Sequence, residues 1–268
     1  MTETTTADSV EYAAGHARWH EQVEERRTSP YGPLSVTSIH WLTATSQRFG
    51  GVPGAWREEP AGVAVVDLDD GERLELDAEQ FTGTFEVGPL SGIETRTLVA
   101  GDLRVEIAAR GGSLVLRTRD PRSPDLIAYE GTEVFPPHPR WRVEARFVPQ
   151  RRPEVRVESI VPDRPQHYDS PGVAEFELDG RPLRLTLFGD GDALRAIFAD
   201  TSDRTFPAAR NVEVVRTGPE TVVIDFNRST NPPCAYSAGA TCPLPPPGNR
   251  LPIPIEAGEI APATSPEH

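Results

Sequence analysis

Methionine occurs once and cysteine twice in 268 residues, and aromatic side chains make up 7% of the chain. Two cysteines, Cys234 and Cys242, are too few for a disulfide scaffold, so a reducing compartment that keeps them as thiols is expected. No apolar run approaches the roughly 18 residues that a membrane-spanning helix needs. The first ten residues have neither the basic start nor the apolar stretch of a secretory signal, which makes the expected setting cytoplasmic, with no membrane partner. Positive charge is also scarce. With 27 basic against 41 acidic residues the net charge is −14, a field that repels phosphate backbones, so nucleic acid is not an expected partner. Arg140, Arg142, Arg146, Arg151 and Arg152 do cluster, but they alternate with apolar or acidic residues, as on a solvated strand face. There is no Gly-Lys-Ser or Gly-Lys-Thr of a phosphate loop and no Gly-x-Ser-x-Gly elbow. Seven residues separate the cysteines, with no second Cys or His pair at zinc spacing, so neither a metal nor a cofactor is expected.

What is present is mostly alternation with period two. Residues 8–27 read as one helix, capped at Asp8 or Ser9, with Val10, Ala14, Ala17 and Val23 near one face. Residues 34–49, with Trp41, read as an apolar lead-in. From Gly62 onward, apolar/polar alternation in short runs predicts about a dozen strands. Turn dipeptides predict three hairpins: Asp70-Gly71 between 63–68 and 73–76, Gly111-Gly112 between 103–108 and 114–118, and Asp179-Gly180 between 173–178 and 183–188. Further strands are expected at 141–148, 155–161, 193–198, 212–215 and 221–226. The proline-dense stretch from Pro121 to Pro139 is the best candidate boundary. The expected fold is therefore mainly β, with antiparallel strands in sandwich or barrel-like lobes. Residues 1–125 would hold the helix and a smaller β lobe, and 126–268 a second lobe closed by a proline-rich segment that cannot be a central strand.

Two constellations invite chemistry. His16, His20 and Glu24 are spaced by four on the helix, but the residue after the first His is Ala17 where a zincin needs Glu, and a solvated polar face explains them. His167, Asp169 and Ser170 gather the parts of a nucleophilic triad, yet neighbours in sequence rarely meet triad geometry, and a turn before the 173–178 strand is expected instead.

The chemically dense stretch begins at Asp225-Phe226-Asn227, continues through Asn231-Pro232-Pro233-Cys234-Ala235-Tyr236 and Thr241-Cys242-Pro243-Leu244-Pro245-Pro246-Pro247, and ends with Asn249-Arg250-Leu251 and Ile255-Glu256-Ala257-Gly258-Glu259. Candidate ligand contacts are Asp225, Asn227, Asn231, Cys234, Tyr236, Cys242, Asn249, Arg250 and Glu259. A structural account competes: buried amides satisfy backbone groups, Arg250 pairs Asp225 or Glu259, and Cys acts as a small core residue. These same residues resemble the hallmark of the domain-of-unknown-function family 1684. The likeness extends to Phe198-Ala199-Asp200-Thr201-Ser202 with Thr205-Phe206, to Tyr129-Glu130-Gly131, and to the block from Phe135-Pro136 through Trp141-Arg142-Val143-Glu144-Ala145-Arg146-Phe147. It covers 110–260; before that only Trp41-Leu42 and Phe49-Gly50 correspond. The resemblance implies a location for function and no reaction.

Small-ligand binding in a pocket of the second lobe, beneath the Asn-Pro-Pro-Cys segment, is the leading expectation. An enzyme is the rival, with Cys234 or Cys242 as nucleophile, or Asp225 and Glu259 as acid and base beside Asn231. A scaffold offering its polyproline tail to a partner is the third reading.

Overall fold

The fold is that of a computed structural model describing residues 3–92, 94–237 and 239–263, and of these not the side chains of 3–9 and 151–153. Two compact units form, one from 27–129 and the other from 1–26 together with 130–268. The division falls at 129/130 rather than 125/126, and the helix expected to accompany the first lobe packs with the second. Among the described residues no helix is long and apolar enough to cross a membrane.

Helix α1 spans Glu3–Arg27, a turn and more longer at its start than expected; the caps proposed at Asp8 and Ser9 concern side chains outside the described set. Its expected apolar face is corrected: Val10 is 64% exposed and Ala14 and Ala17 face solvent, whereas His16 is buried. The helix therefore docks through polar groups, for the reason given below.

Among its described residues the unit 27–129 holds ten strands in two antiparallel sheets. Strands β1 (Val36–Trp41), β2 (Gln47–Arg48) and β3 (Ala55–Glu59) come from the stretch read as a lead-in and its sequel. They are followed by β4 (Val63–Asp67), β5 (Leu74–Leu76), β6 (Glu79–Phe81), β7 (Thr84–Val87), β8 (Thr95–Ala100), β9 (Leu103–Arg110) and β10 (Ser113–Arg119). The sheet orders are β1-β10-β9-β8-β5-β6 and β2-β3-β4-β7. Trp56 and Val66 of the second sheet and Ile107 and Leu116 of the first share one buried core, which makes this unit a sandwich. The Gly111-Gly112 hairpin forms as expected. The Asp70-Gly71 one does not: β4 and β5 lie in different sheets, and the turn carries the chain from one layer to the other.

The other unit is one six-stranded antiparallel sheet. It consists of β11 (Arg142–Val157), β12 (Gln166–Leu178), β13 (Arg181–Leu187), β14 (Leu194–Phe198), β15 (Arg210–Arg216) and β16 (Thr221–Asp225), in the order β13-β12-β11-β16-β15-β14. The runs at 141–148 and 155–161 merge into the single bent strand β11, whose register with β12 shifts twice between Pro149 and Val155. At the first shift Gly172 lies opposite Pro149, where a Cβ would stand 2.3 Å from the Val148 carbonyl oxygen, so only glycine fits. Asp179 and Gly180 both take positive φ and join β12 to β13 in the expected two-residue hairpin.

Alternate residues of every strand fill one core: Val143, Ala145 and Phe147 of β11, Phe176 of β12, Leu185 of β13, Phe198 of β14, Val214 of β15 and Ile224 of β16. The tail completes it, with Leu251, Ile253, Ile255 and Ala257 inward and Pro252, Pro254 and Glu256 outward. This is strand-like alternation by a segment whose prolines cannot donate to a ladder.

Closure of the sheet falls to Asn249. The edge strands β13 and β14 are joined by a bridge at Phe188 and Arg195. Beside it, the Asn249 side chain accepts from Thr186 N–H at 2.7 Å and donates to the carbonyls of Thr186 at 2.9 Å and Ile197 at 2.8 Å. A side-chain amide thus stands in for a peptide group between two strand edges. Asn249→Ala leaves three backbone groups unpaired, the Ile197 carbonyl buried and the two of Thr186 half-buried, at about 1–3 kcal/mol for a buried orphan. Thermal denaturation should show the melting temperature falling by more than roughly 5 °C, at about 2–4 °C per kcal/mol for a chain of this size; an unchanged melt would show that the amide does not close the sheet.

Candidate functional site

The segment from Asp225 to Asn231 receives helix α1. Asp225 ends β16 and accepts Asn227 N–H at 3.2 Å, opening a single 3-10 turn over Phe226–Arg228. Residues 12, 16, 20 and 24 repeat every four positions, so they form a stripe along one face of α1. Tyr12 donates its hydroxyl to Asp225 at 2.8 Å and accepts from Asn227 Nδ2 at the same distance. Burial, and then the bond to Asp225, hold the phenol well above its ordinary pKa, so it stays a donor. His16 Nε2 lies 2.8 Å from the Asn227 carbonyl, which fixes that nitrogen as the protonated one. The solvated face expected for His16 is therefore a buried polar seam; the stripe lacks apolar periodicity because its partner is itself polar.

Asn227 is fully buried and repeats the device of Asn249: Oδ1 accepts His138 N–H at 2.9 Å and Nδ2 donates to the His138 carbonyl at 3.1 Å. Asn231 supplies its backbone N–H to Glu259 at 2.6 Å, and its Nδ2 reaches the Ile260 carbonyl and the Tyr236 hydroxyl. Tyr236 in turn lies 3.3 Å from Glu259 Oε2 and 2.8 Å from Thr132 Oγ1. Glu259 is wholly enclosed. It is delivered there by Gly258, at φ +74°, where a Cβ would meet the Ser229 carbonyl oxygen at 2.5 Å.

Cys234 and Cys242 are not joined in a disulfide, and both are buried in a small core with Phe206 and Ala235. Hydrogen bonding with Cys242, then burial, push the Cys234 thiol far above its ordinary pKa. Arg250 is exposed, and among the described residues it forms no ion pair with Asp225 or Glu259. Its place in the motif is explained by its backbone, which bridges Ala199 of the chain leaving β14. The nine candidates are thus not one constellation. Asp225 and Asn227 seat the helix, Asn249 closes the sheet, the thiols fill a core, and Asn231, Tyr236 and Glu259 form a polar centre. His167 and Asp169 are exposed on β12 while Ser170 is buried, so the expected turn is strand and its alternation separates the triad's parts.

A cleft of about 400 Å³ lies beside the motif and was not legible as such. Its floor is the face of β14 and β15 that bears Arg195, Ile197, Asn211 and Glu213, its wall is Trp19, Val23 and Arg26 of α1, and its rim includes Tyr168, Arg228 and Thr230. None of the nine candidates lines it. Pro243 belongs to the quoted motif and Arg228 and Thr230 fall between two of its blocks, which was the signal available; Trp19 and Arg195 carry none. Separately, His20, Glu24 and Glu259 bring three metal-ligating atoms within 4.8 Å of one another, the one such group among the described residues.

An antiparallel β unit closed by a proline-rich tail and a buried amide defines the class of protein. The chain belongs to the family described as Protein of unknown function (DUF1684), whose model matches residues 127–260. It is also similar to an uncharacterised protein of Haloarcula marismortui solved by solution NMR: 31% identity over 49% of this chain and 77% of that one, with a TM-score of 0.42. No curated protein matches the chain.

Two measurements check the seam. Burial holds the His16 imidazole below its ordinary pKa, in the presence of Tyr12, His20, Asp225 and Arg228. The unfolded chain then takes up a proton near pH 6.5 that the folded chain refuses, so this stability is complete above about 6.5 and is lost as pH falls below it. His40 shifts the same way, so the comparison is with His16→Gln, which keeps a donor but cannot titrate. Urea melts from pH 7.5 to 5.5 should be flatter for the variant, and equal slopes would remove His16 as a source. Gly258→Ala should lower the melting temperature and raise amide exchange around Asn231, because Glu259 can no longer approach it.

Proposed function

We propose that the unit built from 1–26 and 130–268 binds a small organic anion in the cleft between α1 and the β14–β15 face. The observation that carries this reading is charge: Arg26, Arg195 and Arg228, the last 3.7 Å from Asp225, line a cleft whose own lining holds one carboxylate, Glu213, in a chain of net charge −14. Such a local reversal focuses anions where the overall field repels them. Trp19 and Tyr168 offer faces for an apolar or aromatic body, Asn211 and Thr230 offer polar contacts, and the volume lies in the range of small-molecule sites. The cleft is framed by Arg228, Thr230 and Pro243 and not by the cysteines. For the enzyme reading, burial and the raised thiol work against Cys234 as a nucleophile. For the scaffold reading, packing of Leu251, Ile253 and Ile255 into the core leaves the tail poorly placed as a bait.

A thermal-shift screen of small carboxylates and phosphates at low ionic strength tests the proposal. At least one anion should raise the melting temperature by more than about 2 °C. Arg195→Ala, an exposed position, should weaken its binding about tenfold, which is about 1.4 kcal/mol, without altering the melt of the free protein. If no anion stabilises the parent chain and none co-purifies in native mass spectrometry, the reading fails.

A further inference from the structure

We infer that His20, Glu24 and Glu259 form a binding site for a divalent transition-metal ion, distinct from the cleft lining. The sequence offers no complete ligand set, because Glu259 lies more than two hundred residues from the helix; folding supplies it. The three donor atoms lie within 4.8 Å of one another. His20 Nε2 and Glu24 Oε1 are 3.8 Å apart, too far for a hydrogen bond. Two ligands each about 2.1 Å from one ion stand roughly 3.0–4.2 Å apart as their angle opens from 90° to 180°, so the separation suits a shared cation.

A second observation points the same way. His20 Nε2 is buried yet has no hydrogen-bond partner among the described residues. A ring nitrogen beside two carboxylates but beyond hydrogen-bond reach of Glu24 offers, in the tautomer protonated at Nδ1, a lone pair that a metal ion satisfies. Glu24 and Glu259 each have further partners, among them Asn231 N–H and the Tyr236 hydroxyl on Glu259, as carboxylate ligands held by outer groups do. One imidazole with two carboxylates is a mixed nitrogen and oxygen set, suited to Zn²⁺ or Mn²⁺. Three protein ligands leave at least one position to water, the arrangement of an open site.

The test uses the full chain, stripped with a chelator and titrated with Zn²⁺ and with Mn²⁺ by calorimetry beside thermal shift. One equivalent of at least one ion should bind and raise the melting temperature. His20→Ala and Glu24→Gln, both at partly exposed helix positions, should each weaken that binding at least tenfold while circular dichroism stays unchanged. Glu21→Gln, on the exposed face, should bind as the parent does. Glu259 is left intact because its burial makes misfolding a confounding result. Absence of stoichiometric binding, or binding that His20→Ala and Glu24→Gln leave unaltered, overturns the assignment.

Discussion

Arg210 and Asp200 form an ion pair at 2.6 Å with side chains only 0% and 1% exposed, and the tail is organised around it. The guanidinium also donates to the carbonyls of Ala257 at 2.6 Å and Ile255 at 2.9 Å, and lies over the Phe198 ring. Asp200 accepts Ile255 N–H in return. Burial lowers the pKa of the guanidinium, and Asp200 opposes that shift; arginine remains charged throughout. A pair this deep contributes little net stability compared with an apolar replacement, but removing one partner costs about 3–5 kcal/mol. Its value here is positional. A segment with prolines at 252 and 254 makes only a broken ladder, with Leu251 N–H on the Ala199 carbonyl and Thr201 N–H on the Ile253 carbonyl, and the carbonyl-to-guanidinium bonds continue the register that sends Leu251, Ile253 and Ile255 inward.

From that register the polar centre follows. Once Ala257 is fixed, Gly258 turns the chain against Ser229, Glu259 N–H bonds the Ser229 carbonyl, and the Glu259 carboxylate arrives beneath Asn231. Helix α1 is placed by the same segment, through Asp225 and Asn227. One run of irregular chain thus anchors both the wall of the cleft and the ligand set proposed for the metal.

The regular part of this architecture was legible. Alternation and the Asp179-Gly180 and Gly111-Gly112 turns located β9, β10 and β13 through β16 and parts of β11 and β12, because strands buried on one face must alternate. The sandwich of 27–129 was read only in part: the runs at 63–68 and 73–76 are β4 and β5, but β1, β3, β7 and β8 were not assigned, and β2 and β6 are two or three residues long and carry no period. Asp70-Gly71 looked like a hairpin because a turn dipeptide specifies local geometry and not which sheet each arm joins. The asparagines of the family motif were ambiguous: an amide that mimics a peptide group, as Asn227 and Asn249 do, has the same one-letter signature as a ligand contact. Arg210 and Arg195 were invisible for a plainer reason, since a single arginine in a strand does not announce whether it faces a core or a cleft.

The pairing of residues 12 and 16 with residues 225 and 227 also sets an order of events. The unit 27–129 is continuous and has all its strands as soon as it has been made, whereas helix α1 emerges first and has no seat until β16 exists. At roughly 5–20 residues per second of synthesis, about two hundred residues separate the helix from Asp225, a wait on the order of 10–40 s. Through that interval Tyr12, His16, His20 and Glu24 are solvated, and a stripe of polar side chains can bear such exposure where an apolar stripe would invite aggregation. The polarity of the docking face is therefore suited to the helix's long wait for its partner as well as to the partner itself.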